Sequence, residues 1–147
     1  PTDPEQKYKS RYTDVDNSPL FPFGFGLSYT TFAYSDLNVS TAKFNFDQKI
    51  QISVDLANTG NYDGAEVVQL YIRDLVGSVT RPVKELKGFQ KVDLKKGEKK
   101  TVQFELSSDD LRFYNINMEY RAEAGDFEIF IGGNSDTEMK VNVELVK

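Results

Sequence analysis

Apolar and polar residues alternate with a period of two along most of this chain. That spacing belongs to strands with one face on a core and one in water. It is clearest in Ile50-Gln51-Ile52-Ser53-Val54-Asp55-Leu56, which runs into the turn-rich Asn58-Thr59-Gly60-Asn61 and Tyr62-Asp63-Gly64. Val68, Leu70 and Ile72 mark the next strand, and Val67 and Tyr71 on its other face predict partial cover there as well. Asp74 to Pro82 reads as a loop, Val83 to Leu94 as an extended region broken by Gly88, and Lys95-Lys96-Gly97-Glu98 as a polar turn. Thr101 to Leu106 alternates again. Ser107 to Asp110 has the spacing of a capping box and predicts one short helical turn. Met118 to Arg121 follows as a further short strand. Ala124-Gly125-Asp126 reads as a turn, Phe127, Ile129 and Ile131 as the inward face of a strand, Gly132 to Ser135 as a turn, and Val141, Val143 and Leu145 as the last strand.

About seven strands at regular spacing, with a single helical turn, predict an all-β chain: an immunoglobulin- or fibronectin III-like antiparallel β-sandwich preceded by an irregular N-terminal extension. A closed barrel produces a similar string. The chain has no Cys and no Trp, the marks of antibody domains, and this favours the fibronectin-like variety.

Composition narrows the chemistry. With no Cys, neither a disulfide nor a thiolate metal site can form. With no His, the commonest general base and the usual partner of a catalytic Ser are missing. A net charge of −5 argues against a nucleic-acid partner. No apolar run reaches the roughly 18 residues of a membrane-spanning helix. The chain starts at Pro1 rather than Met and reads as a piece of a longer protein whose targeting signal lies upstream.

Local motifs add little. The 23 acidic residues fall in turns or at outward strand positions such as Asp55 and Glu105, so a pair for glycoside hydrolysis is not marked out. Asp14-Val15-Asp16-Asn17-Ser18 opens like a calcium loop, but Pro19 stands where Gly is needed and Phe25 where a bidentate Glu is needed. Asn38-Val39-Ser40 is a glycosylation sequon, meaningful only on a eukaryotic secretory route. No catalytic, cofactor-binding or metal residue is expected.

The first nineteen residues are polar, carry three prolines and read as loop. Residues 20–32, LFPFGFGLSYTTF, are different: too aromatic for a solvated linker and too broken by Gly and Pro for a strand. The glycines lack the Lys and the strand-to-helix setting of a phosphate loop. Phe23, Phe25 and Tyr29 suit either packing against a neighbouring surface or stacking on a sugar. Packing is favoured, because Phe has no polar handle to orient a sugar.

Asn17 to Thr30, then Ala57-Asn58-Thr59-Gly60, Gly64-Ala65-Glu66-Val67-Val68-Gln69-Leu70-Tyr71, Arg81 to Phe89 and Lys91-Val92 together resemble the C-terminal fibronectin III-like domain of family 3 glycoside hydrolases, the β-glucosidase and β-xylosidase group. The resemblance runs from about residue 12 almost to the end. It implies a parent enzyme with a barrel domain bearing the nucleophile Asp, an α/β sandwich domain bearing the acid/base Glu, and then this module, so no catalytic residue transfers to this chain. It further implies that residues 1–31 end the preceding domain as an aromatic joint and that residues 32–147 form the sandwich. Implied partners are the upstream catalytic domains, with carbohydrate contact and self-association as further options; the implied location is periplasmic or extracellular. The leading expectation is a non-catalytic structural module that stabilises domain packing and shapes a cleft rim or a dimer contact. One alternative is a carbohydrate-binding module using exposed aromatics among Tyr62, Tyr71, Phe113, Tyr114 and Tyr120; another is a cell-surface adhesion domain.

Overall fold

A computed structural model describes residues 20–75, 84–114 and 117–147. The acidic stretch at Asp14–Ser18, the loop after Asp74 up to Pro82, and Arg81-Pro82-Val83 of the resemblance lie largely or wholly outside these residues. Among the described residues ten strands follow in order: β1 (Phe32–Val39), β2 (Lys43–Asn45), β3 (Lys49–Asn58), β4 (Gly64–Asp74), β5 (Glu85–Leu94), β6 (Lys99–Ser107), β7 (Phe113–Tyr114), β8 (Tyr120–Arg121), β9 (Gly125–Gly132) and β10 (Lys140–Val146). A 3₁₀ turn, Ser108–Leu111, sits where the capping pattern placed a helical turn. There the Ser107 N–H and hydroxyl both donate to Asp110 Oδ2, at 2.8 and 2.9 Å.

The strands form a three-stranded sheet, β1-β3-β6, a five-stranded sheet, β2-β10-β9-β4-β5, and a two-stranded ribbon, β7-β8. The alternation in β3 buries Ile50, Ile52, Val54 and Leu56. Val68, Leu70 and Ile72 of β4, Val102, Phe104 and Leu106 of β6, and Phe127, Ile129 and Ile131 of β9 meet them in one core. This is a fibronectin III-like sandwich. The count exceeds the expected seven because of the short elements β2, β7 and β8. β2 is also an exception to antiparallel pairing: Lys43, Phe44 and Asn45 run parallel to Glu144, Leu145 and Val146. The expected turn at Ala124-Gly125-Asp126 is partly strand, since Gly125 and Asp126 pair with Leu145 and Glu144. Gly88 marks a bulge: Leu70 faces Gly88 while Tyr71 faces Leu86, leaving Lys87 as the extra residue.

The outward side of β4 and β9 departs from simple alternation. Gln69, Tyr71, Glu128 and Phe130 point away from the core and are nevertheless buried. Glu128 is an inaccessible carboxylate held by Arg73 and Lys140, with the Lys140 ammonium 2.5 Å from Oε1. The Lys84 ammonium lies 4.2 Å from the Phe130 ring centre and donates to the Ser135 and Thr137 carbonyls, at 2.9 and 2.6 Å. The hydrogen bond from Lys140, and with it Arg73, holds the Glu128 carboxyl below the usual carboxylate range, against the upward push of burial. A carboxyl depressed in the folded state adds stability above its unfolded pKa, about 4.3, and loses it as pH falls through the lower folded value. Glu128→Gln is therefore less stable than the parent chain at pH 7, and the gap narrows as pH falls below the unfolded pKa of about 4.3. Thermal unfolding across that range checks this; a gap constant with pH would show that the carboxylate charge contributes nothing.

Candidate interdomain docking surface

Residues 20–31 lie as a strap along the outward side of the five-stranded sheet and over the Asn58 end of the sandwich. Two clusters fasten its backbone. In the first, Gln69 Nε2 donates to the Gly24 and Gly133 carbonyls, at 3.1 and 2.7 Å, while its Oε1 accepts from the Tyr71 hydroxyl. The Phe23 carbonyl accepts from the Ser135 N–H at 2.8 Å and lies 3.4 Å from the Tyr71 hydroxyl. Gly24 has φ +79°, and a Cβ there would overlap the Gln69 amide, so both backbone shape and close approach require glycine.

In the second cluster, the buried Asn58 uses its whole hydrogen-bonding capacity. Its Oδ1 accepts from Thr30 Oγ1 at 2.7 Å and the Gly60 N–H at 3.1 Å. Its Nδ2 donates to the Tyr62 carbonyl at 2.8 Å and the Leu94 carbonyl at 3.2 Å. The Thr59 and Gly60 N–H groups also donate to the Thr31 carbonyl, at 2.9 and 3.2 Å. A Cβ on Gly60 would run into Thr30 and the Thr31 backbone.

The strap's backbone is thus held by buried polar groups, while its large apolar side chains face water. Phe23 is 67% exposed, Leu27 94% and Tyr29 98%; Leu20, Phe21 and Phe25 are exposed as well, with the rings of Phe21 and Phe25 stacked 5.0 Å apart. Phe89 and Val67, also exposed, extend the apolar area. Phe89 lies directly across from Gln69 on β5, and Val67 shares the outward side of β4. A patch of this kind marks an interaction site more often than an ordinary surface.

The structure divides the aromatics expected to be exposed. Tyr62, Tyr114 and Tyr120 are exposed; Tyr71 and Phe113 are buried. Tyr71 is covered because the strap and Gln69 close over it. Asp55 and Glu105 lie on the wet side of the three-stranded sheet, four residue pairs apart along the β3–β6 ladder. Lys99 and Thr101 draw Asp55 down, and Lys49 draws Glu105 down, so both are ionised surface groups rather than a proton donor and its partner. Glu66 differs: burial raises its pKa, opposed by the Tyr34 hydroxyl that donates to it at 2.9 Å. Among the described residues, no three His, Cys, Asp or Glu side chains are grouped to hold a metal. The sequence pattern does not mark Asn58, Thr30 or Gln69 as anchors. For Gln69 a signal is present all the same: one amide inside Val67-Val68-Gln69-Leu70-Tyr71-Ile72, a strand apolar on both faces.

Sandwich topology defines a fibronectin type III-like module, here with an exposed aromatic segment strapped along one side. Residues 66–135 match the family model described as "Fibronectin type III-like domain". The chain is 48% identical, over 99% of its length, to 19% of the periplasmic β-glucosidase of Salmonella typhimurium. It is 44% identical, over 97% of its length, to 19% of a putative β-xylosidase of Formosa agariphila. The solved β-glucosidase of Listeria innocua in complex with glucose superposes with a TM-score of 0.84 at 39% identity, covering all of this chain and 21% of that one. The chain belongs to the fibronectin type III-like domain family, in the form found within family 3 β-glucosidases and β-xylosidases. It spans about one fifth of the length of these relatives.

Proposed function

We propose that this chain is a non-catalytic accessory domain of a β-glucosidase-like family 3 glycoside hydrolase, and that its strap docks on a neighbouring domain of the same polypeptide. The observation that supports the reading is the strap itself: a backbone fastened by buried amides that holds Leu20, Phe21, Phe23, Leu27 and Tyr29 out into water. Rigid presentation lowers the ordering cost of docking. On this reading residues 1–31 form the joint and residues 32–147 the sandwich. The parent removes terminal β-linked sugars with retention, using two carboxylates about 5–5.5 Å apart that lie outside this chain. The Salmonella relative is named as periplasmic, which favours an exported parent.

Leu27→Ser tests the docking. Leu27 is 94% exposed here, so the substitution leaves the stability of this chain unchanged within about 0.5 kcal/mol. In the parent polypeptide, where the reading buries it, the same change costs about 2 kcal/mol and lowers the unfolding midpoint. Equal, small effects in both settings would remove the reading. The purified chain shows no turnover of an aryl β-glucoside above buffer.

A further inference from the structure

The end of the sandwich opposite Asn58 carries a second concave site. β3 runs from Lys49, paired with Ser107 at this end, to Asn58 at the strap. Between the turn after β2, the 3₁₀ turn and the β7-β8 ribbon lies a cleft of about 760 Å³, walled in part by Phe46, Ser108, Asp109, Arg112, Tyr120 and Arg121. That volume falls in the range of small-molecule sites, roughly 300–1,000 Å³.

The walls are held in place. Ser108 Oγ donates to the Phe46 carbonyl at 2.8 Å, tying the two turns together. The Arg112 guanidinium pairs with Asp109, and Arg121 lies 3.3 Å from Glu119. On the ribbon, Phe113 faces Arg121 and Tyr114 faces Tyr120. Phe113 is buried, and Leu111, two residues before it, belongs to the sandwich core and anchors the start of the ribbon. Tyr114 and Tyr120 stay 62% and 56% exposed, with ring centres 5.0 Å apart at 44°. A cross-strand ring pair can simply hold two strands together. Here each ring keeps more than half its surface in water, and Leu111 in the core anchors the start of the ribbon.

We infer that this cleft is a carbohydrate subsite that takes one or two pyranose units, with a C–H face of the sugar on Tyr120 and its hydroxyls on Asp109, Arg112 and Arg121. A pyranose has an apolar C–H face beside a ring of hydroxyls, and the cleft supplies the matching parts: exposed aromatic rings with a polar rim. A carboxylate and a guanidinium, both planar, can each bridge two neighbouring hydroxyls. Both signs of charge occur on the walls, which suits a neutral sugar better than a polyanion. The cleft and the strap lie at opposite ends, so docking at the strap leaves the cleft open. That the sugar is a β-linked glucan or xylan fragment rests on the function proposed above.

The test is a titration of this chain with cellotriose, laminaritriose and xylotriose, followed by amide chemical shifts and by tyrosine emission. The sequence holds eight Tyr and no Trp, so the emission comes from tyrosine. At least one trisaccharide gives saturable binding in the millimolar range, with shifts centred on residues 108–112 and 120–123. Tyr120→Ala weakens it about tenfold, as expected for loss of a stacked ring, and Tyr120→Phe preserves it. Arg112→Ala, a second variant independent of the ribbon, weakens it as well. Leu27→Ser binds like the parent chain, which separates this site from docking. Absence of saturable binding by all three sugars, or undiminished binding in folded Tyr120→Ala or Arg112→Ala, would overturn the inference and leave the docking proposal standing.

Discussion

Asn58→Asp destabilises the chain by about 3–5 kcal/mol at pH 7, although it changes one NH₂ into one oxygen. The side chain is 2% exposed, and its Nδ2 donates to the Tyr62 and Leu94 carbonyls. A carboxylate oxygen in that place meets two carbonyl oxygens with nothing to donate, and its charge is taken out of water. The sign of the pH dependence follows. Burial and the two carbonyls raise the folded-state pKa of such a carboxyl above its unfolded value. The ionised form is therefore the costly one, and the deficit shrinks as pH falls toward 4 and the acid gains a proton to donate. Denaturant unfolding of both chains at pH 7 and about pH 4.5 measures it. A deficit that is small, or that grows on acidification, would mean that the Asn58 amide is not the junction described above. The Thr30 hydroxyl keeps its acceptor at Oδ1, so the loss falls on the two carbonyls that faced Nδ2.

Gln69→Leu costs about 2–4 kcal/mol by removing one amide that serves three partners. The Gly24 and Gly133 carbonyls lose their donor, and the Tyr71 hydroxyl loses its acceptor in a buried place. Leucine is apolar and roughly the right size, so the core side of β4 is untouched and the loss falls on the strap. Amide exchange of Phe25 and Ser135, whose N–H groups donate to the Pro22 and Phe23 carbonyls, quickens far more than that of β3 or β9, and the unfolding midpoint drops by on the order of 5–10 °C. If exchange at the strap stays slow while global stability falls, the amide supports the sheet rather than the strap. On the proposed docking, the same variant in a longer polypeptide also weakens the contact, because the rings are no longer presented in one arrangement.

Much of the sandwich is legible in the pattern of residues alone. Ile50 to Leu56 and Thr101 to Leu106 alternate strictly, Phe127, Ile129 and Ile131 take every second position, and each stretch forms a strand with its apolar side in the core. A half-buried strand needs only the period of two, which is local. The resemblance to family 3 glycoside hydrolases is equally local, carried by short ordered motifs. What those motifs do is not visible from their spacing. Asn58 and Gly60 of the Ala57–Gly60 stretch, and Gln69 and Tyr71 of the Gly64–Tyr71 stretch, hold residues 20–31, which lie some 30 to 50 positions earlier in the chain.

Tyr71 and Phe113 show where local reading ends. The pattern predicts only partial cover for the face of Val67 and Tyr71 and offers both rings as candidates for exposure, yet both are buried. An exposed position on a strand is exposed only until another segment crosses it, and nothing in Val68 to Ile72 specifies that Phe23 and Gly24 will. Glu128 is the same case in charge: a carboxylate in an apolar strand reads as outward and solvated, yet Arg73 and Lys140 close over it.

The sequence by itself determined the class of chain: strands of period two, turns between them, no His or Cys chemistry, and an aromatic segment out of character with the rest. The tertiary structure decided which polar side chains fasten that segment and which rings face water. It also placed a cleft at the opposite end, lined from three separate turns and strands. The reason is range. Alternation and turn residues act over a few positions, whereas burial of an amide or exposure of a ring depends on chain brought in from far along the sequence.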